Sequence, residues 1–120
     1  MKMERLSTIQ KNGRLNDIYA IGDIGPGGAK HEYAIVTQQD QCVCRIHFQK
    51  GPREDETSVE GACDQDLLEI VRDRLRGFVN GDMPTRETAI ALTHVEEALL
   101  WLNKRIEDRI ERGVLGTMEK

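Results

Sequence analysis

Residues 64–113, DQDLLEIVRDRLRGFVNGDMPTRETAIALTHVEEALLWLNKRIEDRIERG, decide the fold. Leu67, Leu68, Val71, Leu75 and Phe78 recur at three- and four-residue steps, the spacing that gathers side chains on one stripe of an α-helix. Asp64 stands where an N-cap is expected. Asp66 and Glu69 then place negative charge in the first turn, where the helix dipole favours it, so a helix runs to about Val79. Asn80-Gly81-Asp82-Met83-Pro84 is a stop followed by a restart, and Thr85 is the N-cap of a second helix with Glu87 in its first turn. The predicted buried stripe of that helix is Leu92, Val95, Leu99, Leu102, Ile106 and Ile110, and Gly113 supplies the C-cap. At ~1.5 Å per residue the second helix is about 40 Å long, well beyond its partner. The pair is an antiparallel hairpin with more apolar surface than one subunit covers, so homo-oligomerisation through the hairpin is expected.

Upstream, the periodicity changes from helical to alternating. Asp17 to Ile24 reads as a first strand, broken by Gly25-Pro26-Gly27-Gly28. His31 to Thr37 reads as a second, Gln38-Gln39-Asp40 as a turn, and Gln41 to Gln49 as a third. In the third, strict alternation places Cys42, Cys44, Ile46 and Phe48 on one face and Val43, Arg45 and His47 on the other, a half-buried pattern. Lys50 to Glu56 is a charged loop, and Thr57 to Ala62 is a candidate edge strand. Residues 1–16 are polar and expected to be loosely ordered. The expectation is an α+β chain: one domain over 1–120, with a small antiparallel β-meander at 17–62 followed by the two-helix hairpin at 64–113.

Composition narrows the function classes. The chain has 120 residues, one domain's worth, with 32% charged residues and a net charge of −4. Mean hydropathy is −0.54 and the pI about 5.4, which argues against DNA or anionic lipid as a generic partner. No apolar run approaches the ~20 residues of a membrane helix, and the first residues lack the apolar core of a signal peptide. A cytoplasmic protein is expected. Cys42, Cys44 and Cys63 read as reduced thiols. No CxxC pair accompanies them and His47 falls on the opposite strand face, so neither a metal nor a cofactor is called for.

Enzyme signatures are weak. GDIGPGGAK matches neither the phosphate-binding GxxxxGK[ST] loop nor GxGxxG before a helix, and it precedes a strand, so it reads as an inter-strand turn. His31, His47 and His94 are scattered, and no nucleophile, base and oxyanion donor assemble from the inventory. A non-enzymatic binding protein is expected.

One constellation stands apart. Arg105 and Arg109 are spaced i, i+4, so both guanidinium groups leave helix two on one face, with Trp101 a turn earlier and Arg112 about a turn later. Spacing alone allows these arginines to pair with Glu97, Asp108 and neighbouring acids. It also allows two planar, permanently charged forks to grip a pyrophosphate. Phe78, at the end of helix one, lies near the start of helix two, and a partner subunit would bring the arginines to it. An aromatic face for a base plus paired arginines for phosphates makes a nucleotide receptor.

The blocks IGDIGPGGAKHEY, FQKGPRE, DLLEIVRDRLRGF and EEALLWLNKRIEDRIERGVLGT occur in an order that resembles the first-described Thoeris anti-defence family of bacteriophages, over about residues 17–117. That family consists of sponges for cyclic ADP-ribose signals, such as glycocyclic ADP-ribose, made by bacterial TIR proteins. The hairpin part also resembles the phage sponge that counters CBASS immunity by binding cyclic nucleotides. The resemblance implies a dimer or a trimer of dimers acting in the host bacterial cytoplasm, with ligand held between two subunits and not cleaved. It implies that Phe78 stacks on adenine, that Arg105 and Arg109 bind the phosphates, and that Thr88 contacts the ligand. Members often carry Asn at the position of Thr88, and a hydroxyl offers fewer hydrogen bonds than an amide, which leaves the choice among cyclic ADP-ribose isomers open. A second site for cyclic oligonucleotides is implied on a three-fold axis, with Arg53 as its candidate. The alternatives are a sponge for CBASS cyclic di- or trinucleotides, and a phage structural or partner-binding protein with no nucleotide ligand.

Overall fold

The computed structural model describes residues 2–10, 15–52 and 55–113. The chain forms two compact units that divide between Ala62 and Cys63. In the first, strands β1 (Met3–Arg5), β2 (Asp17–Ile21), β3 (Glu32–Val36) and β4 (Cys42–His47) form one sheet in the order β1-β2-β3-β4, each antiparallel to the next. The second contains helices α1 (Asp64–Asn80) and α2 (Arg86–Glu111). The fold class is α+β, as the change of periodicity near residue 63 predicts.

Register places Ile18 opposite Ile35 and Ala20 opposite Tyr33, with Tyr33 in turn opposite Ile46. Cross-strand partners share a face, so these residues form one side of the sheet, and Tyr19, Ile21, Glu32 and Ala34 lie on the other. Ala20, Ile21 and Ala34 are buried. Tyr33 meets Phe48 edge to face, with ring centroids 5.6 Å apart. The β2–β3 connection contains a 3-10 turn at Pro26–Gly28, so the glycine-rich segment is an inter-strand turn and no phosphate loop. β2 ends at Ile21, three residues before its predicted limit, because Gly22 adopts a φ of +86°, a left-handed value that breaks the extended run.

Three sequence expectations for this unit need correction. Residues 3–5 are a strand: Leu6 N–H donates to Ile18 O and Gly22 N–H to Lys2 O, while Arg5 pairs with Asp17 at 2.9 Å and Lys30 with Glu4 at 2.7 Å. Cross-strand hydrogen bonds and ion pairs hold β1, which is why hydrophobic alternation does not reveal it. Cys42 and Cys44 lie on opposite faces. Ile35 pairs with Cys44 but Val36 pairs with Cys42, so Val43 is the extra residue of a β-bulge that breaks the alternation. All of β4 except Ile46 is exposed, as befits an edge strand. Finally, Thr57 to Ala62 is no strand but makes isolated bridges, Phe48 with Ala62 and Lys50 with Val59. Gly61 permits this approach, since a Cβ there would lie 2.5 Å from the Phe48 carbonyl carbon.

The Lys30 ammonium, by hydrogen bond and by charge, holds the Glu4 carboxyl below its ordinary value of 4.5. A carboxyl lowered in the fold contributes stability that is complete above the ordinary value and is lost as pH falls through the lowered one. Acidification below about pH 4.5 should therefore loosen β1 from β2, read as loss of the Leu6 and Gly22 amide protection, and Glu4→Gln should remove that acid dependence. Wild-type protection that stays constant through the acid range would refute the assignment.

In the helical unit, the N-cap is Cys63, one residue earlier than predicted. The Asp66 carboxylate turns back to accept from the Cys63 N–H at 2.8 Å, satisfying a donor that the helix leaves open. Residues 81–85 join the helices, and the Thr85 side chain accepts from Thr88 N–H to open α2 as expected. Arg72 Nε donates to Glu96 Oε2 at 2.8 Å across the hairpin, and Nη1 to Glu69 at 3.3 Å. The Glu96 carboxylate, then that of Glu69, raises the affinity of Arg72 for its proton. Leu99 is buried at 5% exposure and Leu92, Val95, Leu102 and Ile106 are half-buried, matching the predicted stripe. Ile110 departs from it at 56% exposed. With Arg72 level with Glu96, the start of α1 falls opposite about residue 104, and the last turns of α2 run past it. Gly113, at a φ of +72°, follows the cap at Arg112.

Candidate functional site

The hairpin carries two clusters at opposite ends of α2. The first surrounds the connection between the helices. Phe78 stands two residues before the end of α1 and is 43% exposed. An aromatic ring left this open, on a helix whose leucines are half-buried, is available for stacking. The Arg74 guanidinium carbon sits 5.0 Å from its centroid, one turn earlier on α1. Thr88 lies in the first turn of α2, where Thr85 Oγ1 donates to Thr88 Oγ1 at 2.8 Å and accepts from the Thr88 N–H at 3.1 Å. One cap thus fixes both the helix start and the position of the Thr88 hydroxyl.

The second cluster lies in the last turns of α2. Arg105 is exposed, and no carboxylate among the described residues comes within ion-pair distance of it. Arg109 follows one turn later. It is 9% exposed, so its side chain is enclosed rather than open to solvent. Asp108 pairs with Arg112 at 3.7 Å. Trp101 is 65% exposed, with the Lys104 ammonium 5.6 Å from its ring.

Thr88 and Arg105 lie on one helix and are separated by about 25 Å along its axis. A single chain therefore joins Phe78 to the Thr88 end and Arg105 to the Arg109 end, but it does not bring the two ends together. One end carries an open aromatic ring near a hydroxyl, and the other carries two arginines one turn apart. Arg53 lies outside the described residues. The i, i+4 spacing of Arg74 and Phe78 is the sequence signal of their contact.

The sheet unit holds an open hollow of about 730 Å³ lined by Glu4, Ala20, Lys30 and Tyr33 among others. Its two lysines already face carboxylates, Lys30 to Glu4 at 2.7 Å and Lys2 to Asp23 at 4.0 Å, so it offers little to an anion. The hairpin, with an uncommitted Arg105 and an open aromatic ring, is the stronger candidate. Among the described residues, no group of three or more His, Cys, Asp or Glu side chains is placed to hold a metal ion, and no helix is long and apolar enough to cross a membrane.

A short antiparallel sheet is thus followed by a helical hairpin with an open aromatic ring at one end and two arginines at the other. Residues 40–107, more than half of the chain, match the family model described as the Acb2/Tad1 hairpin domain, and the chain belongs to that family. It is also 47% identical over 75 residues to a Bacillus phage SBSphiJ7 protein named Thoeris anti-defense 1, a match covering 62% of this chain and 52% of that protein. The chain thus spans about half the length of that relative.

Proposed function

We propose that this protein sequesters a cyclic ADP-ribose-type immune signal, glycocyclic ADP-ribose or an isomer, made by TIR proteins of Thoeris, and holds it uncleaved in the host bacterial cytoplasm. The observation that carries this reading is the division of the hairpin into an aromatic end, Phe78 with Thr88, and a cationic end, Arg105 with Arg109. The name of the Bacillus phage relative supports an anti-defence role. A cyclic ADP-ribose presents an adenine and a pyrophosphate, the two chemical groups that these ends suit.

Because one chain separates the ends, the site is completed by a second copy whose hairpin runs the other way, in a dimer or a trimer of dimers. Adenine stacks on Phe78, the Thr88 hydroxyl hydrogen-bonds the ligand, and the two guanidinium groups of the partner grip the pyrophosphate. Charge-assisted hydrogen bonds of about 1.5–3 kcal/mol each, summed over a bidentate pair, support tight binding in a preformed pocket. The four groups include no imidazole, carboxylate or thiol, the side chains that ordinarily serve as general acid, base or nucleophile.

The test is to load the purified protein with a cyclic ADP-ribose, remove free ligand, heat-denature, and weigh what is released. Intact cyclic ligand is expected. A hydrolysed product would establish an enzyme, and no retained ligand would favour a structural or partner-binding protein. Competition with cyclic di- and trinucleotides separates this reading from a CBASS sponge, since displacement at equal concentration would assign the hairpin site to those ligands instead.

A further inference from the structure

We infer that Arg74 is a positioning residue for the Phe78 platform: its guanidinium caps one face of the ring and so dictates that a base stacks on the other. The inference rests on the reading of Phe78 as the base platform.

Arg74 and Phe78 are one turn apart on α1, so their side chains share a face of the helix. The guanidinium carbon lies 5.0 Å from the ring centroid, within the range of a cation–π contact. That separation leaves no room for a second aromatic ring between them, since stacked rings themselves need centroids about 4.5–7 Å apart. A ring has two faces and one is taken, so a ligand base has the other.

The neighbouring arginine shows why Arg74 is committed to the ring. Arg72 is tied to Glu69 at 3.3 Å and to Glu96 at 2.8 Å. No carboxylate among the described residues is paired with Arg74, and the Phe78 ring is the partner on its own helix. Phe78 is 43% exposed, so few neighbours fix its rotamer, and binding must fix it. Holding one face beforehand lowers that entropic cost without any contact to the ligand.

The experiment is a double-mutant cycle in the full chain, with cyclic ADP-ribose as the probe. Arg74→Met keeps side-chain length over the ring but removes charge and planarity. It is expected to weaken binding about two- to fivefold, the scale of an exposed cation–π contact, with Arg74→Lys recovering part of the loss. In a Phe78→Leu background, Arg74→Met should change affinity by less than about 1.5-fold, because its effect runs through the ring. An equal loss in both backgrounds, or none in the wild type, overturns the inference.

A ligand-free readout separates this failure from failure of the platform reading. The chain has two phenylalanines, Phe48 and Phe78, so labelled phenylalanine gives two sets of ring signals. Arg74→Met should shift the Phe78 signals and leave those of Phe48 in place. Unmoved Phe78 signals overturn the capping contact whatever the ligand does. Normal binding by Phe78→Leu would instead refute the platform itself.

Discussion

Arg105→Ala is expected to weaken binding of a cyclic ADP-ribose at least about a hundredfold while the melting temperature stays at the wild-type value. A guanidinium gripping a phosphate in two places contributes two charge-assisted hydrogen bonds of about 1.5–3 kcal/mol each, and every 1.4 kcal/mol is about tenfold in affinity. Arg105 is exposed and makes no ion pair among the described residues, so its removal takes nothing from the folded chain. Arg105→Lys should restore only part of the affinity, since an ammonium is a point charge and lacks the planar fork. Calorimetry gives the affinity, and thermal denaturation confirms the fold. Wild-type affinity in Arg105→Ala would remove this arginine from the site. Arg109→Ala is the poorer test: at 9% exposure its loss leaves a space in the structure, and a weakened ligand would no longer report on contact alone.

The second large effect is on stability. Leu99 is 5% exposed, the buried hydrophobic residue of the hairpin stripe among the described residues. Leu99→Ala removes its packing and leaves a cavity, which costs about 2–5 kcal/mol where the surroundings cannot collapse. Against the about 5–15 kcal/mol of an ordinary domain, that is a large share, and the hairpin should melt at a clearly lower temperature by circular dichroism. Leu100, the next residue, is 70% exposed, and Leu100→Ala should stay within about 0.5 kcal/mol of the wild type. Equal melting temperatures for the two variants would show that Leu99 does not anchor the helix pair.

The contrast between neighbours shows how far helical periodicity reaches. It places Leu99 in the stripe and leaves Leu100 out, and Leu99 is buried while Leu100 is exposed. It also assigns Ile110 to the stripe, where it fails, because a repeat in the sequence does not record where the facing helix begins. Arg109 illustrates the converse: arginine is among the residues most often left in solvent, yet this one is buried. Burial belongs to the surroundings of a side chain, and local spacing does not encode them.

Sequence by itself determined the elements whose signals are local. These are the two helices with their break at 80–85, the Thr85 cap, the turn at Pro26–Gly28, and three of the four strands. Each follows from dihedral preferences and from periodicities of 3.6 or 2 residues, which depend on neighbours a few positions away. Only the tertiary structure decided the rest: β1, held by bonds to β2 and by the Lys30–Glu4 pair, the Val43 bulge that parts Cys42 from Cys44, and the burial of Arg109. The strand and the bulge depend on pairing with other strands, and burial depends on what surrounds a side chain, relations that exist only once the backbone has folded.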